Sequence, residues 1–205
     1  MPADSTVVID QIFAVFIWFS VIAFVLTIGV MLYFLFRYHH KRNKHPDYDL
    51  SGNRTLEILW IVIPSIIGIG MFWYGWTGFS FITSPAPESA LEVDVEAYQY
   101  GWEYEYPNGK TNDQLRVPKG RTVVLSITSR DVIHAFYAPA FRVKMDAVPS
   151  MVNKVHFTPQ ETGTFEVLCA EYCGLGHSSM TSDIVVVPEE EFTAWYEGGN
   201  EDENG

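Results

Sequence analysis

The 205-residue chain is 48% hydrophobic, yet its 25 acidic residues outnumber its 13 basic ones, for a net charge of -12. Apolar and acidic residues in such amounts coexist only if they are segregated along the chain, which excludes a uniformly mixed soluble domain. The acidic balance also excludes a nucleic-acid partner, because its field repels anions.

Two runs carry no charge: QIFAVFIWFSVIAFVLTIGVMLYFLF between Asp10 and Arg37, and ILWIVIPSIIGIGMFWYGWTGFSFITSPAP between Glu57 and Glu88. Each exceeds the roughly 20 apolar residues that cross a hydrocarbon core of about 30 Å, and the excess implies tilt or protrusion. The expected elements are membrane helices at about residues 11–37 and 56–83, forming a hairpin within residues 1–87. A buried helical hairpin in a large soluble core is the alternative. The first run does not read as a signal peptide: Asp4 and Asp10 precede it instead of a basic region, and it is too long. The connection between the runs holds Arg37, Lys41, Arg42, Lys44 and Arg54. The positive-inside rule places it in the cytoplasm and both termini outside. Glu57, read from the residues alone, is an acid in a helix's first turn, where it complements the dipole.

From Glu88 onward there are 20 acidic and 8 basic residues, so the whole negative excess falls on the outer part. Such a field speeds encounter with a basic partner; a solubility device or adaptation to high salt are the plainer readings. Residues 88–205 change to period two. LEVDVEAY, TVVLSIT, KVHFTP, GTFEVLCA and SDIVVVP alternate apolar and polar residues between Gly, Pro and Asn. PNGK, Pro107 to Lys110, is a tight turn. The spacing predicts an all-β Greek-key sandwich or barrel. PEEEFTAWYEGG predicts a short helix opened by Pro188 and stopped at Gly198. NEDENG reads as a disordered tail.

CAEYCGLGHSSM holds both cysteines, Cys169 and Cys173, with His177 and Met180, on one loop joining two strands. An outer compartment permits a disulfide there. Zinc favours Cys, His and carboxylate, and a thioether is unusual in its sites. Thiolate, imidazole and thioether together are the donors of copper electron-transfer sites. A second imidazole comes from another loop. His134 in RDVIHAFYAP follows TVVLSIT and precedes Pro139; His156 sits inside a strand pattern, and His39, His40 and His45 fall on the other side of the membrane. Two bridging thiolates and two imidazoles can hold two coppers. Met180 and a carbonyl within the loop, that of Glu171, would supply weak axial donors. One unpaired electron shared by two metals suits a one-electron relay.

These features, with DVIHAF, VKMDAVP and CAEYCGLGHSSM in that order, resemble cytochrome c oxidase subunit II over nearly the full length of the chain. The resemblance implies two N-terminal transmembrane helices followed by a cupredoxin domain bearing the dinuclear copper centre CuA. By it the copper ligands are His134, Cys169, the Glu171 carbonyl, Cys173, His177 and Met180. The Glu171 side chain would add to a Mg²⁺ site at the contact with the catalytic subunit. Glu57 matches the glutamate at the cytoplasmic mouth of a proton pathway. Haems would lie only in the partner, subunit I; subunit III is a further expected partner. The setting would be a bacterial or archaeal cell membrane, with the copper domain on the periplasmic side. Where the family commonly reads Gln-Trp-x-Trp, this chain has QYGW, Gln99 to Trp102. Tyr100 thus occupies the usual point of arrival of electrons from cytochrome c, with Trp102 the second aromatic of the motif. The sequence contains no C-x-x-C-H haem motif, so the donor is expected to be a separate cytochrome. The alternatives are the CuA subunit of a nitric oxide reductase and a non-enzymatic, membrane-anchored copper-binding protein. A quinol oxidase subunit would lack the two thiolates, and nitrous oxide reductase fits neither the length nor the two membrane helices.

Overall fold

The computed structural model describes residues 3–41 and 52–198. Most of the basic connection, including Arg42, Lys44 and His45, and the acidic stretch from residue 199 lie outside the described residues. The chain divides into two compact units, Asp10–Thr83 and Met1–Ile9 with Ser84–Gly205.

The first unit carries helices α1 (Asp4–Arg37, whose first turns belong to the second unit) and α2 (Arg54–Ile82). At 1.5 Å per residue they are about 51 and 44 Å long, ample for the hydrocarbon core. Their large side chains are exposed, Phe24 and Ile69 among them, a surface that lipid or other membrane helices must cover. Ser20, Thr27, Ser65 and Thr77 return their hydroxyls to carbonyls one turn earlier, so these polar groups need no water. Asn53 caps α2, its side-chain oxygen accepting from the Thr55 and Leu56 amides at 3.1 and 3.3 Å. α1 starts at Asp4 rather than near residue 11, and its first turns are part of the second unit. The Asp4 carboxylate accepts from the Thr158 amide at 3.1 Å, and the Ser5 hydroxyl donates to the Phe141 carbonyl at 2.9 Å.

The second unit is a sandwich of two five-stranded sheets. One runs in the order β3 (Thr111–Asn112), β2 (Gly101–Glu105), β1 (Leu91–Tyr98), β5 (Val123–Ser129), β8 (Asn153–Phe157). The other runs β4 (Leu115–Pro118), β10 (Thr181–Val187), β9 (Gly163–Cys169), β6 (His134–Ala138), β7 (Val143–Ala147). β1 with β5 and β4 with β10 are parallel, so the chain crosses between sheets instead of running as hairpins throughout. Alternation drives burial: β1 turns Leu91, Val93, Val95 and Ala97 inward and Glu92 and Asp94 outward. Trp102, Tyr104, Leu125, Phe136, Phe141 and Phe157 fill the core, each large side chain contributing about 1.5–3 kcal/mol.

All five periodic stretches form strands. The other strands are short, and β6 is buried on both faces, which erases its alternation. His134 opens strand β6 and does not sit in a loop, as its position after TVVLSIT suggested, and the lost alternation is why the sequence does not announce this strand. The Asn-Gly turn joins β2 to β3, with Gly109 at φ +80°. α3 (Glu189–Glu197) follows Pro188 and stops at Gly198. Lys110 donates to the Trp195 carbonyl at 2.7 Å and Asn108 to that of Tyr196 at 2.7 Å, so the turn satisfies the end of α3.

Candidate metal centre

β6 and β9 pair with Phe136 opposite Cys169, which brings His134 to the end of β9. The chain then loops out and returns as β10, where the Cys169 amide donates to the Met180 carbonyl at 3.2 Å. A 3-10 turn, His177–Ser179, tightens the loop, and its His177 ring faces Cys173. Both cysteines are free thiols, their sulfurs 3.9 Å apart, so the disulfide reading does not describe this loop. Around the sulfur pair the donors fall into two sets. Cys169 Sγ lies 3.8 Å from His134 Nδ1 and 3.2 Å from the Glu171 carbonyl. Cys173 Sγ lies 3.7 Å from His177 Nδ1 and 3.8 Å from Met180 Sδ. One ligand atom each from His134, Cys169 and Cys173 lie within 4.8 Å of one another.

His134, both cysteines and Met180 are buried. Burial, and then the neighbouring Cys169, push the Cys173 thiol up to about 11, a rise that a cation bound at its sulfur would oppose. The donor set selects that cation. A tetrahedral zinc ion would use the two sulfurs and two imidazoles and leave the thioether and carbonyl without purpose. Two thiols and a thioether beside two imidazoles fit copper better.

Residues beyond the ligands shape the site. Asp131 accepts from the His134 ring at 2.8 Å and from the Gln99 amide at 2.7 Å. Burial works to raise its carboxyl, but the hydrogen bonds from His134, Val132 and Gln99 prevail and hold it below the usual carboxylate range. The Gln99 side-chain amide donates to the Cys173 carbonyl. The Tyr100 ring rests on the loop so closely that a Cβ at Gly174 would lie 2.6 Å from its Oη, and one at Gly176 2.5 Å from its Cδ2. Gly174 also has φ +134°, a conformation that side chains rarely adopt. Sequence reasoning missed Asp131, Gln99 and both glycines. The Asp-x-x-His spacing and the residue before Tyr100 were the available signals.

The two aromatic candidates differ. Tyr100 is 41% exposed, whereas Trp102 is 2% exposed and packs edge-on against His134 and Phe136. Trp102 thus belongs to the core beside His134, and Tyr100 to the surface. The Glu171 side chain is about half exposed, with Lys144 Nζ 4.0 Å away. Glu57 lies in the other unit, in the first turn of α2. His156 lies on β8, in the sheet without the cysteines.

Residues 106–188 match the family described as cytochrome c oxidase subunit II, periplasmic domain, and residues 4–74 match its transmembrane domain. The alternative cytochrome c oxidase subunit 2 of Bradyrhizobium diazoefficiens is 31% identical over 92% of this chain and 79% of its own length. Cytochrome c oxidase subunit 2 of Cereibacter sphaeroides is 32% identical over 82% of this chain and 68% of its own. Among solved structures, the periplasmic domain of subunit II of cytochrome oxidase from Bradyrhizobium japonicum superposes with a TM-score of 0.51 at 34% identity. That match covers 54% of this chain and 94% of that one. The sandwich is thus cupredoxin-like, the helices are membrane-spanning, and the chain belongs to the cytochrome c oxidase subunit II family, whose members work as one subunit of an oxidoreductase complex.

Proposed function

We propose that this chain is the electron-accepting subunit of a haem-copper oxidase, taking single electrons from a cytochrome c and passing them to haem in subunit I, where O₂ is reduced with proton translocation. One observation carries the reading: two thiols, two imidazoles, a thioether and a backbone carbonyl converge around a single pair of buried cysteine sulfurs. Bound there, dinuclear copper supplies reversible one-electron chemistry. The protein's part is to fix the donors and keep water out. His134 and Met180 are closed off in the core, while His177 lies nearer the surface against Tyr172. A rigid, dry donor set rearranges little when its charge changes.

The exposed large apolar side chains of the described sandwich are Tyr100, Val132, Ile133, Met151, Val152, Tyr172 and Leu175. They belong to the metal loop, the segment before His134, the Tyr100 hairpin, or the stretch after Pro149, which bridges to Ser129. This end supports docking of other proteins, with Tyr100 the aromatic that a donor meets. The acidic excess after Glu88 favours a donor with a basic face. The basic connection between the helices supports a periplasmic position for the copper domain. The half-exposed Glu171 carboxylate is available to a Mg²⁺ ion shared with subunit I, and Glu57 is available to a proton pathway at the cytoplasmic side. The bare helices call for subunit I, and subunit III, as membrane neighbours.

A soluble fragment from Ser84 onward tests the reading. Loaded with copper, it should bind two ions per chain, with an electron paramagnetic resonance spectrum showing one electron shared between two nuclei. One ion per chain, with hyperfine coupling to a single nucleus, would refute it.

A further inference from the structure

The two ligand-bearing segments, the stretch leading into β6 and the loop after β9, are tied to a third. The hairpin between β1 and β2, at Gln99 and Tyr100, touches both. Its backbone amide at Gln99 donates to Asp131 Oδ2 at 2.7 Å, while Asp131 Oδ1 takes the Nε2 side of His134 at 2.8 Å. The Gln99 side chain reaches the other way, to the Cys173 carbonyl. A continuous hydrogen-bonded path therefore runs from His134 through Asp131 and Gln99 to the backbone of Cys173. Its effect on His134 is directional. A carboxylate at Nε2 holds the ring proton there and leaves the Nδ1 lone pair aimed at the sulfurs, 3.8 Å away. His177 has no such carboxylate among the bonds of the described residues; its neighbour is the Tyr172 ring.

We infer that Asp131 and Gln99 are positioning residues of the metal centre, a clamp by which the β1–β2 hairpin fixes the His134 tautomer and holds the cysteine loop against it. This rests on the copper reading above. The clamp sets how firmly copper is retained, and it makes the two histidines unequal although their own chemistry is the same.

The test uses the full chain in detergent, loaded with copper and then challenged with excess chelator. Outer partners of this kind change metal affinity about 10- to 100-fold. Asp131→Ala should release copper within that range faster than wild type, and Gln99→Ala about tenfold faster. Gln99→Glu, which keeps the size and loses the donor, should behave like Gln99→Ala. The double variant Asp131→Ala/Gln99→Ala should fall short of the product of the single effects, because either change opens the same clamp. Unchanged release, a wild-type Gln99→Glu, or a fully multiplicative double variant would overturn the inference. So would release that merely follows a lower melting temperature of the copper-free variants. A measurement needing no variant stands beside these: nitrogen NMR of the copper-free wild type should show His134 protonated at Nε2 and bare at Nδ1. The opposite tautomer overturns the clamp. Should wild type bind fewer than two coppers, the copper reading itself fails; two coppers with indifferent variants remove only the clamp.

Discussion

Gly176→Ala isolates the contact between Tyr100 and the metal loop. The backbone at Gly176 has φ -88°, which alanine adopts freely, so the change adds only a methyl. That methyl would lie 2.5 Å from Tyr100 Cδ2, 2.6 Å from Cγ and 2.8 Å from Cε2. Ordinary carbon contacts are about 3.5–4.0 Å, so the ring must retreat by roughly 1 Å or swing out. Tyr100 is already 41% exposed, and swinging out limits the penalty. Overpacking costs about 1–3 kcal/mol, and the solvent-open side of the ring places this case at about 1–2 kcal/mol. For a domain of this size that is a fall in melting temperature of roughly 4–8 °C. The assay is a thermal-melt double-mutant cycle with Tyr100→Ala. In the Tyr100→Ala background Gly176→Ala should cost within about 0.5 kcal/mol of nothing. Gly174→Ala is the control. Its positive φ costs on the order of 1–3 kcal/mol whatever faces it, so its penalty should survive removal of the ring. An equal cost for Gly176→Ala in both backgrounds would show that Tyr100 does not press on the loop.

Three other outcomes follow from the same structure. Lys110→Met removes the donor to the Trp195 and Gly198 carbonyls and the cation above the Trp195 ring, and should lower stability by about 1–2 kcal/mol and expose α3 to protease; unchanged proteolysis would mean that apolar packing alone holds the helix. Raising ionic strength from about 10 to 150 mM shortens the Debye length from roughly 30 to 8 Å, and should slow reduction by a basic cytochrome severalfold. A salt-independent rate would count against steering by the acidic unit. Glu57→Gln should slow oxidase turnover while copper content and electron arrival stay the same; full turnover would leave Glu57 only its place at the N-terminus of α2, worth about 0.3–1 kcal/mol.

The sequence by itself determined the membrane helices, because about 20 uncharged apolar residues have few other uses, and it put Cys169, Cys173, His177 and Met180 in one cluster, because they are close along the chain. It also marked the strands that bury one face, such as β1, since alternation records which side meets water. Tertiary structure decided the rest. His134 reaches Cys169 only because β6 pairs with β9, and β6, buried on both faces, shows no alternation that would announce it as a strand. Asp131 and Gln99 lie 32 residues apart and meet only where the ends of β1 and β5 run side by side. Trp102 and Tyr100 look equivalent in QYGW, yet strand alternation buries one, and the turn before it presents the other on the metal loop. Spacing reports neighbours along the chain and the side that is buried. Which distant segments then meet is settled by the closing of long loops between sheets, a choice made by the packing of the whole sandwich.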